Sequence, residues 1–183
     1  MKSLPLDLEL YQHGSGLPKG KLDPEFVKKP ELALGLIDRS LEQGYQPGIV
    51  LIDSGYGNNT SFLLSLENRQ LKYLGGLAKN RKITIERESK VSEEMRLDQL
   101  AESLPEEAFT EIKLNIEKPI TVWVATRAVT LAQLSGQRTV AIVMNAPTWS
   151  EASDIDYLIT NVDHLKATPE WIITTYSQRN WTI

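Results

Sequence analysis

Residues 48–59 read Gly48-Ile49-Val50-Leu51-Ile52-Asp53-Ser54-Gly55-Tyr56-Gly57-Asn58-Asn59, and the fold is decided there. Four successive apolar residues, Ile49, Val50, Leu51 and Ile52, predict a strand covered on both faces, placed inside a parallel or mixed sheet and not at a solvated edge. Asp53 stands at its carboxyl end, and Gly55 and Gly57 let the chain turn sharply after it. Asn58 or Asn59 is positioned to cap a helix through Phe62, Leu63 and Leu66. In open α/β sheets, ligands and metals gather outside the carboxyl ends of strands. Asp53 is therefore a candidate metal ligand; its simpler role is to cap the turn that follows.

Upstream, Pro30 and Gly44 bracket a helix with Leu32, Ala33, Leu36, Ile37 and Leu41 on one stripe. Before it, Leu4, Leu6, Leu8 and Leu10 alternate with polar residues as a half-buried strand would, and residues 11–21 form a loop. Downstream, a strand around residues 73–78 completes a β-α-β unit. Lys79, Arg81, Lys82, Arg87 and Lys90 are mixed with acidic residues, the makeup of a solvated connector; a track for DNA phosphates is the functional alternative. Residues 97–104 predict a short helix. Residues 120–134 and 138–145 predict two long strands joined across Ser135-Gly136-Gln137 as a hairpin. Residues 157–160 predict a last strand, and Thr168 caps a helix that starts at Pro169. Trp123 offers a ring on which a nucleic-acid base could stack, although a tryptophan in a strand more often packs across to its neighbours.

The 183 residues, 41% hydrophobic and 24% charged, suit one domain or a domain with an insertion. No apolar run approaches the ~20 residues that span a bilayer. With no cysteine there is neither a disulfide framework nor a thiolate metal site, which fits a cytoplasmic protein. A net charge of −4 gives no overall electrostatic attraction for nucleic acid, so DNA binding would need a local basic patch. His13 and His164 stand alone, without a second His or Cys at metal-ligand spacing.

The ordered set Ile49-Val50-Leu51-Ile52-Asp53-Ser54-Gly55-Tyr56-Gly57, Leu66-Glu67-Asn68-Arg69, Lys72-Tyr73-Leu74-Gly75 and Trp171-Ile172-Ile173-Thr174-Thr175-Tyr176-Ser177-Gln178-Arg179 resembles an insertion-sequence transposase of the DDE superfamily. The resemblance implies an α/β fold: a partial ribonuclease H-like mixed sheet with flanking helices and an inserted antiparallel β unit. Residues 1–80 would begin the core, 81–147 would form the mainly-β insertion, and 148–183 would return to the core. It further implies cleavage and strand transfer at transposon-end DNA by two Mg²⁺ (or Mn²⁺) ions, about 3.5–4 Å apart, held by converging carboxylates.

Asp53 would be the second of three such carboxylates. The third follows the pattern Tyr-x-x-Arg-x-x-x-Glu, steps of three and four residues that return to one helix face. Tyr176 and Arg179 fill its first two places, and Ile183 stands at the third. The first Asp would belong to a strand upstream of Met1, beside the strand that ends at Asp53. The expectation is thus a fragment truncated at both ends, binding Mg²⁺ weakly and inactive alone, with Lys79, Arg81, Lys82 and Trp123 as its candidate DNA contacts. Two other readings are an α/β domain that binds a small anion at the turn over residues 53–59, and a non-catalytic partner that pairs its open sheet edge with a full-length transposase.

Overall fold

The computed structural model describes residues 7–86, 92–114 and 119–181, the last two of these without side chains. The chain forms two compact units, Met1–Gly48 and Ile49–Ile183. In the first, helix α1 (Lys29–Glu42) carries Pro30 in its opening turn, and the Glu31 carboxylate accepts the Lys28 N–H at 3.2 Å. Gly44 follows the helix at φ +88°, a left-handed conformation that glycine adopts without strain. The predicted apolar stripe is only half-buried along its length.

The alternating segment departs from expectation. Residues 7–10 are not a strand, and Leu8 and Leu10 are exposed; Leu4 and Leu6 lie outside the described residues. Alternation produces a strand only where a partner ladder covers the apolar face. Here the polar residues of the segment have the partners instead. Asp7 and Glu9 grip Arg39 at 2.6 and 2.7 Å, and the guanidinium holds the Asp7 carboxyl below its usual range.

The second unit is a mixed α/β body. Its elements in chain order are β1 (Val50–Ile52), α2 (Ser54–Gly57), α3 (Thr60–Asn68), β2 (Tyr73–Gly76), β3 (Lys82–Glu86), β4 (Ser92–Arg96), α4 (Leu97–Ser103), β5 (Thr110–Leu114), β6 (Ile120–Leu131), β7 (Leu134–Met144), β8 (Ile155–Thr160) and α5 (Pro169–Ser177). Eight strands make one sheet in the order β1-β2-β8-β7-β6-β3-β4, with β5 also on β6. Only β1 and β2 are parallel, with Leu51 opposite Leu74. The β-rich residues are continuous with the core, since β7 and β8 pair along their length from Thr139↔Thr160 to Met144↔Ile155.

One edge of β6 serves two partners. Residues 120–124 pair with β5, whereas a single pair, Thr84↔Thr130, joins the β3–β4 hairpin to the sheet.

Both faces of the sheet are covered. On one, Ile172 and Ile173 of α5 pack with Leu74, Val124, Ala141 and Leu158, and Ile49 and Leu51 lie against this group. Residues of the opposite parity, Tyr73, Val140, Ile142 and Ile159, are buried too. Helix α3 is tied to their face: Glu67 accepts the Tyr73 hydroxyl at 2.9 Å and the Arg138 Nε–H at 2.7 Å. Fully burying a leucine or isoleucine stabilises by about 1.5–3 kcal/mol, so these two layers dominate the cohesion of the unit.

Three sequence expectations are corrected. First, β1 ends the strand order among the described residues instead of lying inside it. An apolar run reports covered faces, not a place within the ladder; Ile52 is buried while Val50 and Leu51 are half-buried. Second, the connector after Lys79 is the β3–β4 hairpin. Its charges mask an inward Ile83 that is 1% exposed; Arg87 and Lys90 lie outside the described residues. Third, the β6–β7 turn falls at Ala132-Gln133, with Leu131 opposite Leu134, and not across Ser135-Gly136-Gln137. Gln133 takes the positive φ of the turn, +70°, whereas Gly136, also at a positive φ of +78°, lies within β7.

Candidate functional site

Asp53 follows β1 directly and caps α2: its Oδ1 accepts the Tyr56 N–H at 3.1 Å. Asn59 does the same for α3, accepting the Phe62 N–H at 3.1 Å. Two short polar side chains thus break the chain into turn and helix within seven residues of the strand end.

What makes this turn possible is space. A Cβ on Gly57 would stand 2.0 Å from the Gly76 carbonyl oxygen, and one on Gly75 would stand 2.2 Å from the Ile52 side chain. Gly57 therefore serves close packing of the turn on β2. The sharp-turn role expected for Gly55 and Gly57 is not needed, since neither takes a positive φ. A Cβ on Gly55 would come within 3.1 Å of Asp53 Oδ1, so that glycine keeps the carboxylate uncrowded.

Tyr176 of α5 packs, as Ile49 and Leu51 do, against the core cluster that Ile172 and Ile173 share with the sheet. Burial pushes the Tyr176 hydroxyl up, Arg179 acts against it, and the charges of Asp156 and Asp53 add to the rise. The phenol is thus within electrostatic reach of both carboxylates. Arg179 donates to the Tyr176 hydroxyl at 3.3 Å and places its guanidinium carbon 5.7 Å from the ring centre, in cation–π range. Arg179 lies past the end of α5, in the 3-10 turn Gln178–Trp181, whose i, i+3 spacing sets it over Tyr176. Asp53 also raises the Tyr56 hydroxyl, after burial as the larger cause.

Asp156, on β8, escaped sequence reasoning. Its side chain is open to solvent on one side, yet the surrounding protein and then the charge of Asp154 push its carboxyl up. An Asp-x-Asp step entering a predicted strand was the only signal, and it is a common one.

The other predicted residues fall elsewhere. Trp123 is half-buried in β6, between Glu111 of β5 and Met144 of β7. Lys79 is exposed in the turn before β3, and Lys82 pairs with Glu94 at 2.9 Å on the hairpin surface. Arg81 donates to the Asn58 carbonyl at 3.2 Å and to the Thr60 hydroxyl. His13 caps a short turn by accepting the Ser15 N–H, while the buried Nδ1 of His164 has no hydrogen-bond partner among the described residues. Ile183 lies outside those residues.

The oxygen chemistry of Asp53 suits Mg²⁺ or Mn²⁺, but the donor set does not fit a pair of ions. One Asp53 oxygen is engaged by the turn, and no group of three His, Cys, Asp or Glu among the described residues is arranged to hold a metal.

With the strand-end carboxylate, its capped turn and the Tyr176–Arg179 pair in place, comparison with known proteins is informative. Residues 13–100 match the DDE superfamily endonuclease family. The match supports a DDE-superfamily, transposase-like protein, and it includes α1, β1, Asp53, α3 and β2. The family is one of endonucleases, and the similarity covers just under half of the chain. No curated protein matches the chain. Among the described residues no helix is long and apolar enough to cross a membrane.

Proposed function

We propose that this chain forms part of the catalytic face of a DDE-type enzyme of DNA transposition, with Asp53 as one of its metal-binding carboxylates. The observation that carries the reading is the position of Asp53 at the carboxyl end of β1, its Oδ1 capping the turn that follows, in the segment that matches the DDE superfamily endonuclease family. Tyr176 and Arg179 act here as positioning residues that fix the end of α5 beside the strand end. The reaction class is phosphodiester cleavage and strand transfer at transposon ends.

The described residues offer one suitable carboxylate where a two-ion site needs two or three. We infer that cleavage requires donors from outside them and that Mg²⁺ binds weakly at Asp53. The turn over residues 53–59 is a poor anion cradle by comparison, because the Asp53 carboxylate already occupies it and accepts the Tyr56 N–H. A second reading, favoured by the place of β1 at the end of the described strand order, is non-catalytic pairing with a full-length transposase.

Purified protein incubated with supercoiled plasmid and Mg²⁺ or Mn²⁺ tests the first proposal. No nicking above that of Asp53→Asn is expected, whereas robust cleavage abolished by Asp53→Asn would show that the described donors suffice. Failure to bind oligonucleotides at low salt would remove DNA as the substrate. Co-purification with a full-length relative tests the second reading, and its absence would end it.

A further inference from the structure

Between the α2–α3 junction and the start of β3 lies a cavity of about 630 Å³, lined by Asn58, Thr60, Asn80, Arg81, Lys82 and Gln133 among others. Arg81 is half-buried and held by two neutral acceptors, the Asn58 carbonyl and the Thr60 hydroxyl. Among the described residues no carboxylate pairs with it, and the nearby Lys82 is matched by Glu94. The guanidinium is therefore oriented before any ligand arrives. Fixed guanidinium groups favour phosphate oxygens, which they meet in a fork geometry. The Asn80 and Gln133 amides add donors to the same wall. Asn58 is partly committed, since one amide N–H donates to the Ser54 carbonyl and its oxygen accepts the Ala78 N–H.

We propose that this cavity binds a phosphate-oxygen anion, and that its source is a phosphodiester of a DNA strand tracking past α2 towards Asp53. The choice of DNA rests on the transposase reading above. The choice of cavity rests on the uncompensated charge of Arg81. Net charge of −4 over the whole chain then matters little, because the attraction is local.

The test is fluorescence anisotropy of a labelled single-stranded oligonucleotide over a salt series, with the intact chain, Arg81→Ala and Gln133→Glu. The glutamate variant puts a negative charge on the wall at an exposed hairpin tip, so it reports on the cavity even if Arg81→Ala weakens folding. Both variants should lose about five-fold or more in affinity, and Arg81→Ala should lower the salt slope by about 0.7, the value for one phosphate contact on a single strand. Unchanged affinity and slope in both, with binding intact in the parent protein, would overturn the cavity and leave the transposase reading standing. If the parent protein binds no DNA, that reading falls, and inorganic phosphate decides the rest. A rise in melting temperature in phosphate that is lost in both variants would keep the cavity as a free-phosphate site and overturn DNA as its source. No such rise would overturn the proposal entirely.

Discussion

Asp53 has two separable jobs, a cap and a charge. Asparagine caps about as well as aspartate, whereas alanine does not. Asp53→Asn should leave stability nearly unchanged in urea and remove the weak Mn²⁺ binding seen by calorimetry, while Asp53→Ala should cost about 1 kcal/mol as well. A stable alanine variant would show that the Tyr56 contact carries no weight. At Gly57 the obstacle is backbone, which cannot swing aside: Gly57→Ala should destabilise by about 3 kcal/mol or more, measured by the same melts. The sequence marked Asp53, the helix-capping role of Asn59, and the Tyr176–Arg179 step, because strand end, cap and helix period are local signals. It could not mark the reason for Gly57, which depends on Gly76 nineteen residues away folding back on it, nor Asp156, whose perturbed carboxyl depends on tertiary neighbours. The folded state favours the protonated Asp156 carboxyl. Its stabilising contribution is complete below about pH 4 and is lost as pH rises through the folded value, so at pH 7 the charge is a net cost. Asp156→Asn should raise the melting temperature at pH 7 and leave it unchanged at pH 3.

Among the elements, α1, α3, α4 and α5 were legible from apolar spacing and caps, and β6, β7 and β8 from their β-branched runs. The β3–β4 hairpin was not, because a strand with one buried isoleucine among charged residues looks like a solvated connector until its ladder is known. The junction of α3 with β2 and β7 was equally hidden. There Glu67 meets Arg138, whose side chain is 9% exposed, and also accepts the Tyr73 hydroxyl. Removing one member of a buried ion pair strands the other charge, at a cost of about 3–5 kcal/mol. Arg138→Ala should therefore lower the urea midpoint sharply, by far more than Lys82→Ala, whose pair with Glu94 is exposed and worth little. Equal effects of the two would mean that water reaches the Glu67 site freely.

For the whole molecule, alkali should be the more informative limit. Tyr56, Tyr73, Tyr157 and Tyr176 all have hydroxyls pushed up, burial being the first cause in each. Each holds its proton more tightly folded than unfolded. That stabilisation is complete below about pH 10 and is lost as pH rises through the folded values. Melting temperature should fall steeply above about pH 10, and less steeply in Tyr73→Phe. The lone Thr84↔Thr130 pair has a further consequence, for motion. Eight strands count as one sheet by topology, but a seam held by one rung transmits little stiffness. In deuterium the amides of β3 and β4 should exchange well before those of β7 and β8, and in one cooperative step. The strands beyond Arg81 would then breathe, while Asn58 and Thr60 keep Arg81 itself fastened to the rigid slab that holds Asp53 still.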